Sequence, residues 1–328
     1  MEVLVVDHRE VPSWLGMSEC VEAMERVLSM LGRGKALNPL RSLMWLPDKS
    51  GLIGMMPSYL EEARVMGLKA ISVFPGNQAG DFDTHQGAVL LFDVDHGRLL
   101  AMMDAGQITA IRTAAVSGVA TRLLANRDAR TLAILGSGVQ ASTHLEAMRV
   151  VRDIRHVRVW SRNLRHAQAF AEREATRHAI PVDAVGSAER AVEGADVICT
   201  VTSATEPILR GEWIAPGTHI NAVGACVPFA RELDTAAVAR SRLFVDCRES
   251  TLHEAGDFLV PKEEGAIGDA HIVGEIGDLL LGRLQGRSSG DDVTLFKSLG
   301  LAIEDIAAAQ SIYQRLLEQG GGRWIEFN

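Results

Sequence analysis

The chain has 328 residues, 47% of them hydrophobic, and its 42 acidic against 33 basic side chains give a formal net charge of −9. That length supports two domains and burial of about three quarters of the unfolded surface. The acidic balance disfavours a nucleic-acid partner without excluding a local basic pocket. Four widely spaced cysteines (Cys20, Cys199, Cys226 and Cys247) form no Cys-x-x-Cys pair, so neither a disulfide framework nor a zinc site is expected, and no metal is assigned. The opening MEVLVVDHRE lacks a basic stretch followed by an apolar core, and no apolar run approaches membrane-spanning length. A cytoplasmic protein without a membrane partner is expected.

In chain order, a helix is predicted from about Met17 to Gly34, with Val21, Met24, Val27, Leu28 and Leu31 on one face and Gly32 and Gly34 at its end. Strand-like runs follow at 41–46, 51–56, 68–74, 87–93 and 98–104. Their short connections point to an antiparallel or mixed sheet in its own domain. A helix of small residues, ITAIRTAAVSGVATRLLA, then leads out of this region.

Three cations sit oddly here. Lys69 shares a strand face with Ile71 and Val73, Arg112 lies in the small-residue helix, and Arg41 opens an apolar strand. A cation aimed into a core needs an anionic partner, because desolvation otherwise costs several kcal/mol. An edge-strand lysine, or arginines paired with a structural carboxylate such as Asp104, would explain each one singly. Taken together they resemble a carboxylate-binding pocket.

The stretch TLAILGSGVQASTHLEAM (131–148) joins a short apolar strand to a helix through Gly136-x-Gly138-x-x-Ala141. This is the pattern of a dinucleotide-binding turn: one glycine for the tight reversal, one to let a pyrophosphate approach, and a small residue for close helix packing. Unpaired N–H groups and the dipole at the helix start would hold the pyrophosphate. Strands at 156–161, 181–185, 195–203, 218–224 and 242–247 alternate with helices, which predicts a doubly wound parallel sheet.

The second of these strands ends in Trp160-Ser161-Arg162-Asn163 without a carboxylate, and Arg165 follows. An acidic residue there would bind the 2′-hydroxyl of NAD, whereas Ser161, Arg162 and Arg165 suit the 2′-phosphate of NADP. The same arginines would also serve as a solvated helix start in a region rich in arginine. After the last strand, LAIEDIAAAQSIYQRLLEQ with Gly320 to Gly322 reads as a helix and its stop. It is expected to return to the first domain.

Arg41, GLKAISVFPGN, GAVLLFDVDHGRLLAMMDAGQITAIRTAAVSGVAT, GSGVQA and HINAVGACVPFARELD together resemble the ornithine cyclodeaminase and mu-crystallin family, in order and spacing, from about Pro39 to Leu301. The resemblance implies an α/β protein: a Rossmann domain at 118–299, plus a discontinuous α+β substrate-binding and dimerisation domain from 1–117 and 300–328. It also implies a homodimer and a small imino- or amino-acid substrate. By resemblance Arg41, Lys69 and Arg112 bind the substrate carboxylate, and Gly136, Gly138, Val139, Gln140, Ser161, Arg162, Ser203 and Val223 are cofactor positions, with Thr113 and Ser298 as additions. The cofactor expected is NADPH, with NADH as the other option.

The departures concern acid and base residues. Cyclodeaminases carry an aspartate and a lysine where this chain has Cys226 and Ala230, and a glutamate where it has Gly54. Ornithine's side-chain amine must lose a proton before attacking an imine, which calls for a positioned base. Reduction of a preformed imine asks less, because the carbon is already electrophilic. The sequence therefore points to reduction of a small α-imino acid, cyclic or linear. An alanine-type dehydrogenase is the alternative, ahead of a cyclodeaminase or a non-catalytic NADPH-binding crystallin. Lys69 and His85 are the candidate proton donors, and Asp81 and Asp83 near His85 read as turn residues.

Overall fold

The computed structural model describes residues 2–79 and 82–327. It contains two compact units, Met1–Thr113 with Gly300–Asn328, and Ala114–Leu299. The first boundary falls inside the helix Ala105–Leu124.

The first unit is built on a mixed sheet. Its strands are β1 (Glu2–Val6), β2 (Ala36–Leu37), β3 (Ser42–Trp45), β4 (Leu52–Leu60), β5 (Val65–Val73), β6 (His85–Asp93), β7 (Leu99–Asp104) and a C-terminal strand, Arg323–Glu326. The order is C-terminal strand, β1, β7, β6, β5, β4, β2, with β3 also paired to β4. β1 runs parallel to β7 and antiparallel to the C-terminal strand. β4 to β7 form an antiparallel meander, as their short connections imply.

Alternation along β5 buries Val65, Gly67, Lys69 and Ile71 on one face, as expected for a strand with one covered side. Helices Met17–Gly32 and Ala302–Gln319 belong to this unit, and the second packs on β4, β5 and β6. Their apolar stripes are buried, with Val21, Met24, Val27 and Leu28 from one and Ile303, Ile306, Ile312 and Leu316 from the other.

Two expectations need correction. β5 lies between β4 and β6, so Lys69 is not a lysine guarding a sheet edge. The apolar run opened by Arg41 is a surface strand, for β3 is exposed throughout. Sequence reading also missed β1 and the C-terminal strand. The C-terminal strand is mostly exposed, and β1 buries Val3 on one face and Leu4 and Val6 on the other, so neither shows the alternation that reveals strands.

The second unit holds β8 (Thr131–Leu135), β9 (His156–Trp160), β10 (Val182–Ala184), β11 (Val197–Thr200), β12 (His219–Ala222), β13 (Arg242–Val245), β14 (Ile272–Glu275) and β15 (Thr294–Lys297). All pair in parallel, in the order β10, β9, β8, β11, β12, β15, β13, β14. The doubly wound sheet is present, with its order reversing between β8 and β11. Ligands in such sheets bind outside the carboxyl ends of the strands at that reversal. β14 and β15 escaped the sequence reading because a charged side chain ends each short run, at Glu275 and Lys297. Among the described residues no helix is long and apolar enough to cross a membrane, and no group of three or more His, Cys, Asp or Glu could hold a metal ion.

Candidate functional site

In the first unit the three anomalous cations converge on the start of helix Ala302–Gln319. Lys69 Nζ lies 2.6 Å from Asp305 Oδ2, and Arg112 reaches Asp305 Oδ1 through Nε at 2.8 Å and Glu304 Oε2 through Nη1 at 2.7 Å. Arg41 Nη2 donates to the Gly300 carbonyl at 3.2 Å. Gly300 has φ +78°, and a Cβ there would stand 2.6 Å from Arg112 Nη1. A glycine is therefore needed both for the left-handed backbone and for room beside the guanidinium.

Lys69 and Arg112 are 2% and 3% exposed. The structural carboxylates are Glu304 and Asp305 rather than Asp104, whose Oδ1 accepts from the Gln107 N–H. The sequence could not link them because 193 residues separate Arg112 from Asp305.

Burial pushes the Lys69 ammonium down to about 8, with Arg112 and Arg41 pushing the same way and Asp305 opposing. Burial works against ionisation of Asp305, but Arg112 and then Lys69 more than offset it and hold the carboxyl below its ordinary range. Cations therefore surround a fixed anion.

His85 opens β6 opposite Val73 in β5, which puts it on the same sheet face as Lys69. It is exposed, and its Nδ1 lies 2.9 Å from Thr84 Oγ1. Desolvation of the ring by its surroundings, and then the Lys69 charge, lower its pKa. The Asp83 carbonyl accepts from the Asn77 and Gln86 side chains, a turn arrangement, while Asp81 lies outside the described residues.

In the second unit, the candidate cofactor positions gather at the carboxyl ends of the parallel strands. Gly136 follows β8 with φ +126°, and a Cβ there would meet the Val201 carbonyl at 2.7 Å. Gly138 precedes helix Val139–Val151 as its N-cap, without a side-chain cap, and its Cβ direction is open for 4 Å. Val139 is 65% exposed, whereas Ala141 is buried. The uncapped N–H groups of the first turn therefore face an open approach, as anion binding requires.

Two further polar groups lack partners. Gln140 Oε1 and Ser298 Oγ are buried with no hydrogen bond, and Ser298 follows β15 directly. Val223 is buried after β12, and its N–H donates to the Thr200 carbonyl at 3.0 Å. Ser203 is exposed after β11, and Ser161 is half-buried after β9. Arg162 and Arg165 are exposed there, with Asn163 capping helix Leu164–His178 by accepting from the Arg165 N–H. Thr113 is buried and belongs to the first unit.

A buried charged group beneath these loops was missed. The Glu232 carboxylate accepts from Thr200 Oγ1 (2.8 Å), the Thr202 N–H (2.7 Å), Thr202 Oγ1 (2.6 Å) and the Gly224 N–H (2.7 Å). It ties together the loops that follow β11 and β12. Asp257 Oδ1 accepts from the Glu232 and Leu233 N–H groups, and its Oδ2 lies 2.9 Å from Lys297 Nζ. Burial and the Asp257 charge raise the Glu232 pKa, against its Thr202 hydrogen bond and the Lys297 charge. The available signal was Lys297 ending an apolar strand, since a buried lysine requires an anion.

The positions that separate this chain from a cyclodeaminase carry no acid or base. Gly54 faces Leu43 and Ile71, with a Cβ direction only 3.3 Å from Leu43 Cδ2. Cys226 Sγ donates to the Val223 carbonyl at 3.3 Å, and Ala230 is buried.

Residues 1–320 match the model of the ornithine cyclodeaminase/mu-crystallin family. A Δ1-pyrroline-2-carboxylate reductase of Bacillus cereus is 36% identical over 326 residues, 99% of this chain and 100% of that protein. The ketimine reductase mu-crystallin of Mus musculus is 39% identical over 312 residues, 94% of each chain. The solved Δ1-pyrroline-2-carboxylate reductase of Thermococcus litoralis, in complex with NADH and L-proline, is 40% identical and superposes with a TM-score of 0.95 over 98% of this chain and 99% of that one. The chain belongs to the ornithine cyclodeaminase/mu-crystallin family.

Proposed function

We propose that the protein is an NAD(P)H-dependent reductase that converts a small α-imino acid with one carboxylate into the corresponding amino acid. The observation that carries this reading is the cluster in the first unit. Arg41, Lys69 and Arg112 set three cations against the two carboxylates of Asp305 and Glu304. A substrate α-carboxylate beside these cations would find charged donors already held in place, as carboxylate recognition requires. The relatives named as Δ1-pyrroline-2-carboxylate reductases support cyclic imines such as pyrroline-2- or piperideine-2-carboxylate over iminosuccinate.

Each residue then has a defined task. The Arg112 guanidinium, fixed by Glu304 and Asp305, and the Arg41 guanidinium at Gly300 supply the planar donor pairs that suit a carboxylate. Lys69, with its pKa lowered to about 8, completes the anion site and is poised to give a proton to the imine nitrogen near neutral pH. His85 is the second candidate donor, on the same face.

Gly136, Gly138, Val139 and Gln140 would hold the dinucleotide's pyrophosphate end. Ser203, Val223 and Ser298 would line its reactive end. The reduced nicotinamide supplies the hydride that adds to the C=N carbon. Ser161 and Arg162, with Arg165 beside them and no carboxylate at the end of β9, favour NADPH over NADH. A homodimer is part of the reading, supported by the exposed apolar side chains of Leu43, Met44, Trp45 and Met55 on neighbouring strands. Four free cysteines accord with a reducing, cytoplasmic setting.

The test is NAD(P)H oxidation by the purified protein with preformed pyrroline-2-carboxylate, piperideine-2-carboxylate or iminosuccinate, beside pyruvate with ammonia. Turnover of the cyclic monocarboxylates, with NADPH preferred and that preference lost in Arg162→Ala, supports the reading. Turnover of pyruvate and ammonia alone would favour an alanine-type dehydrogenase.

A further inference from the structure

The helix that follows the dinucleotide turn carries a buried histidine that neither the turn glycines nor the carboxylate cluster explains. His144 lies in the second turn of helix Val139–Val151 and is completely buried. Its Nδ1 stands 2.8 Å from the Gln140 carbonyl oxygen and its Nε2 2.9 Å from Ser117 Oγ. A carbonyl only accepts, so Nδ1 carries the ring proton and Nε2 accepts from the Ser117 hydroxyl. Burial pushes the His144 pKa down to about 4, against the Gln140 bond. The ring is therefore neutral near neutral pH, and this one tautomer makes both bonds.

The support behind the ring is rigid. One turn beyond Ser117 on helix Ala105–Leu124, Thr121 Oγ1 donates to Met148 Sδ at 3.2 Å, one turn beyond His144. Thr121 Oγ1 in turn accepts from Asn221 Nδ2 of β12 at 2.9 Å. The four-residue spacing on both helices makes these contacts two rungs of one seam, and Ser117, Thr121, Met148 and Asn221 are all completely buried. All of them belong to the second unit. An apolar side chain would fill the place of His144 without its desolvation cost, so the ring is explained by what its two bonds hold.

What they hold is the Gln140–Ala141 peptide. Its carbonyl takes the ring donor, with a longer contact from Thr143 Oγ1 at 3.3 Å, and its N–H donates to the Gly138 carbonyl at 3.1 Å. Bonded at both ends, this peptide sets the direction of the Val139 and Gln140 N–H groups that precede it, which stand ahead of the first intrahelical bonds. The Gln140 side chain springs from the same residue, and its Oε1 is buried without a hydrogen bond.

We propose that the Ser117–His144 pair is the positioning element of the dinucleotide turn: it holds the Gln140 peptide, and with it the Gln140 amide, in the orientation that receives the cofactor's pyrophosphate end. This rests on the reading that the turn binds a nicotinamide dinucleotide. His144 acts through Gln140 and does not touch the cofactor.

The experiment is NAD(P)H fluorescence titration of the full chain and of two variants that separate the ring nitrogens, with Tm and KM for pyrroline-2-carboxylate measured beside it. In His144→Asn the side-chain amide stands near the place of Nδ1 and keeps the bond to Gln140. In His144→Gln it reaches the place of Nε2, keeping Ser117 and losing Gln140. Both variants remove ring packing and should lower Tm. The dinucleotide Kd should rise about tenfold in His144→Gln and return to within about threefold of wild type in His144→Asn, as the loss and rescue of one buried hydrogen bond imply. KM for the imino acid should change little in either. Ser117→Ala is compatible with the helix and decides the matter if His144→Gln does not fold: its Kd should rise about threefold at unchanged KM. Equal losses of affinity in the two His144 variants, following their Tm, or a wild-type Kd in Ser117→Ala, would overturn the proposal. Wild-type protein that binds neither NADPH nor NADH would overturn the dinucleotide reading and this inference with it.

Discussion

Lys69 and Arg112 grip opposite oxygens of one carboxylate, that of Asp305, at 2.6 and 2.8 Å. The pair is buried, so its members depend on each other. Arg112→Ala would leave Glu304 and Asp305 without their main cation. A loss of about 3–5 kcal/mol is expected, the range for breaking a buried ion pair, read by denaturant unfolding. Arg112→Lys keeps the charge and loses the planar donor pair, so it should fold and show KM for the imino acid raised about tenfold or more.

The lowered pKa of Lys69 gives a pH signature. If protonated Lys69 binds the carboxylate and gives the proton, as proposed, kcat/KM should fall as pH rises through about 8. Asp305 holds that pKa up against burial. Asp305→Asn should therefore move the alkaline limb to lower pH, and Lys69→Met should abolish the limb. An unchanged limb in Lys69→Met would assign it to another group.

The same shift bears on folding. A lysine with a folded pKa below its unfolded value binds fewer protons in the native state, so its contribution destabilises at low pH and is relieved as pH rises. Between pH 8 and 10 the stability of the wild type should gain relative to Lys69→Met. Paired chemical-denaturation curves at these two pH values measure it.

Gly136 and Gly138 separate folding from binding. Gly136→Ala meets a positive φ and the Val201 carbonyl, and should cost more than about 1 kcal/mol. Gly138→Leu meets open space at an ordinary φ of −87°. It should leave Tm nearly unchanged while weakening dinucleotide binding about tenfold or more, because the backbone approach is blocked.

Glu232 holds two loops with four accepted hydrogen bonds. Glu232→Gln replaces one acceptor oxygen by a donor and sets it against Thr200 and Gly224. A stability loss of about 1–3 kcal/mol is expected. The dinucleotide Kd should rise while KM for the imino acid changes little, a split that general destabilisation would not produce.

The sequence showed most of the fold where patterns are local. The β8 turn and the parallel series from β9 to β13 were legible because apolar runs of strand length alternate with helices. The cations were legible as anomalies, since Lys69 shares its face with Ile71 and Arg112 sits among small residues. Their partners were not, because Glu304 and Asp305 come from the far end of the chain and look like ordinary acids in the first turn of a helix. β15 was hidden for a related reason: Lys297 interrupts its run, and only the buried Asp257 explains why a lysine is tolerated there.

The most direct measurement is mass spectrometry of the amino acid formed from pyrroline-2-carboxylate and nicotinamide cofactor deuterated at its transferable C4 position. If hydride passes to the C=N carbon, the proline formed carries one deuterium at C2, and the same reaction with unlabelled cofactor in deuterated water leaves that carbon unlabelled. Unlabelled proline from deuterated cofactor, or no proline from any nicotinamide cofactor, would contradict the assignment.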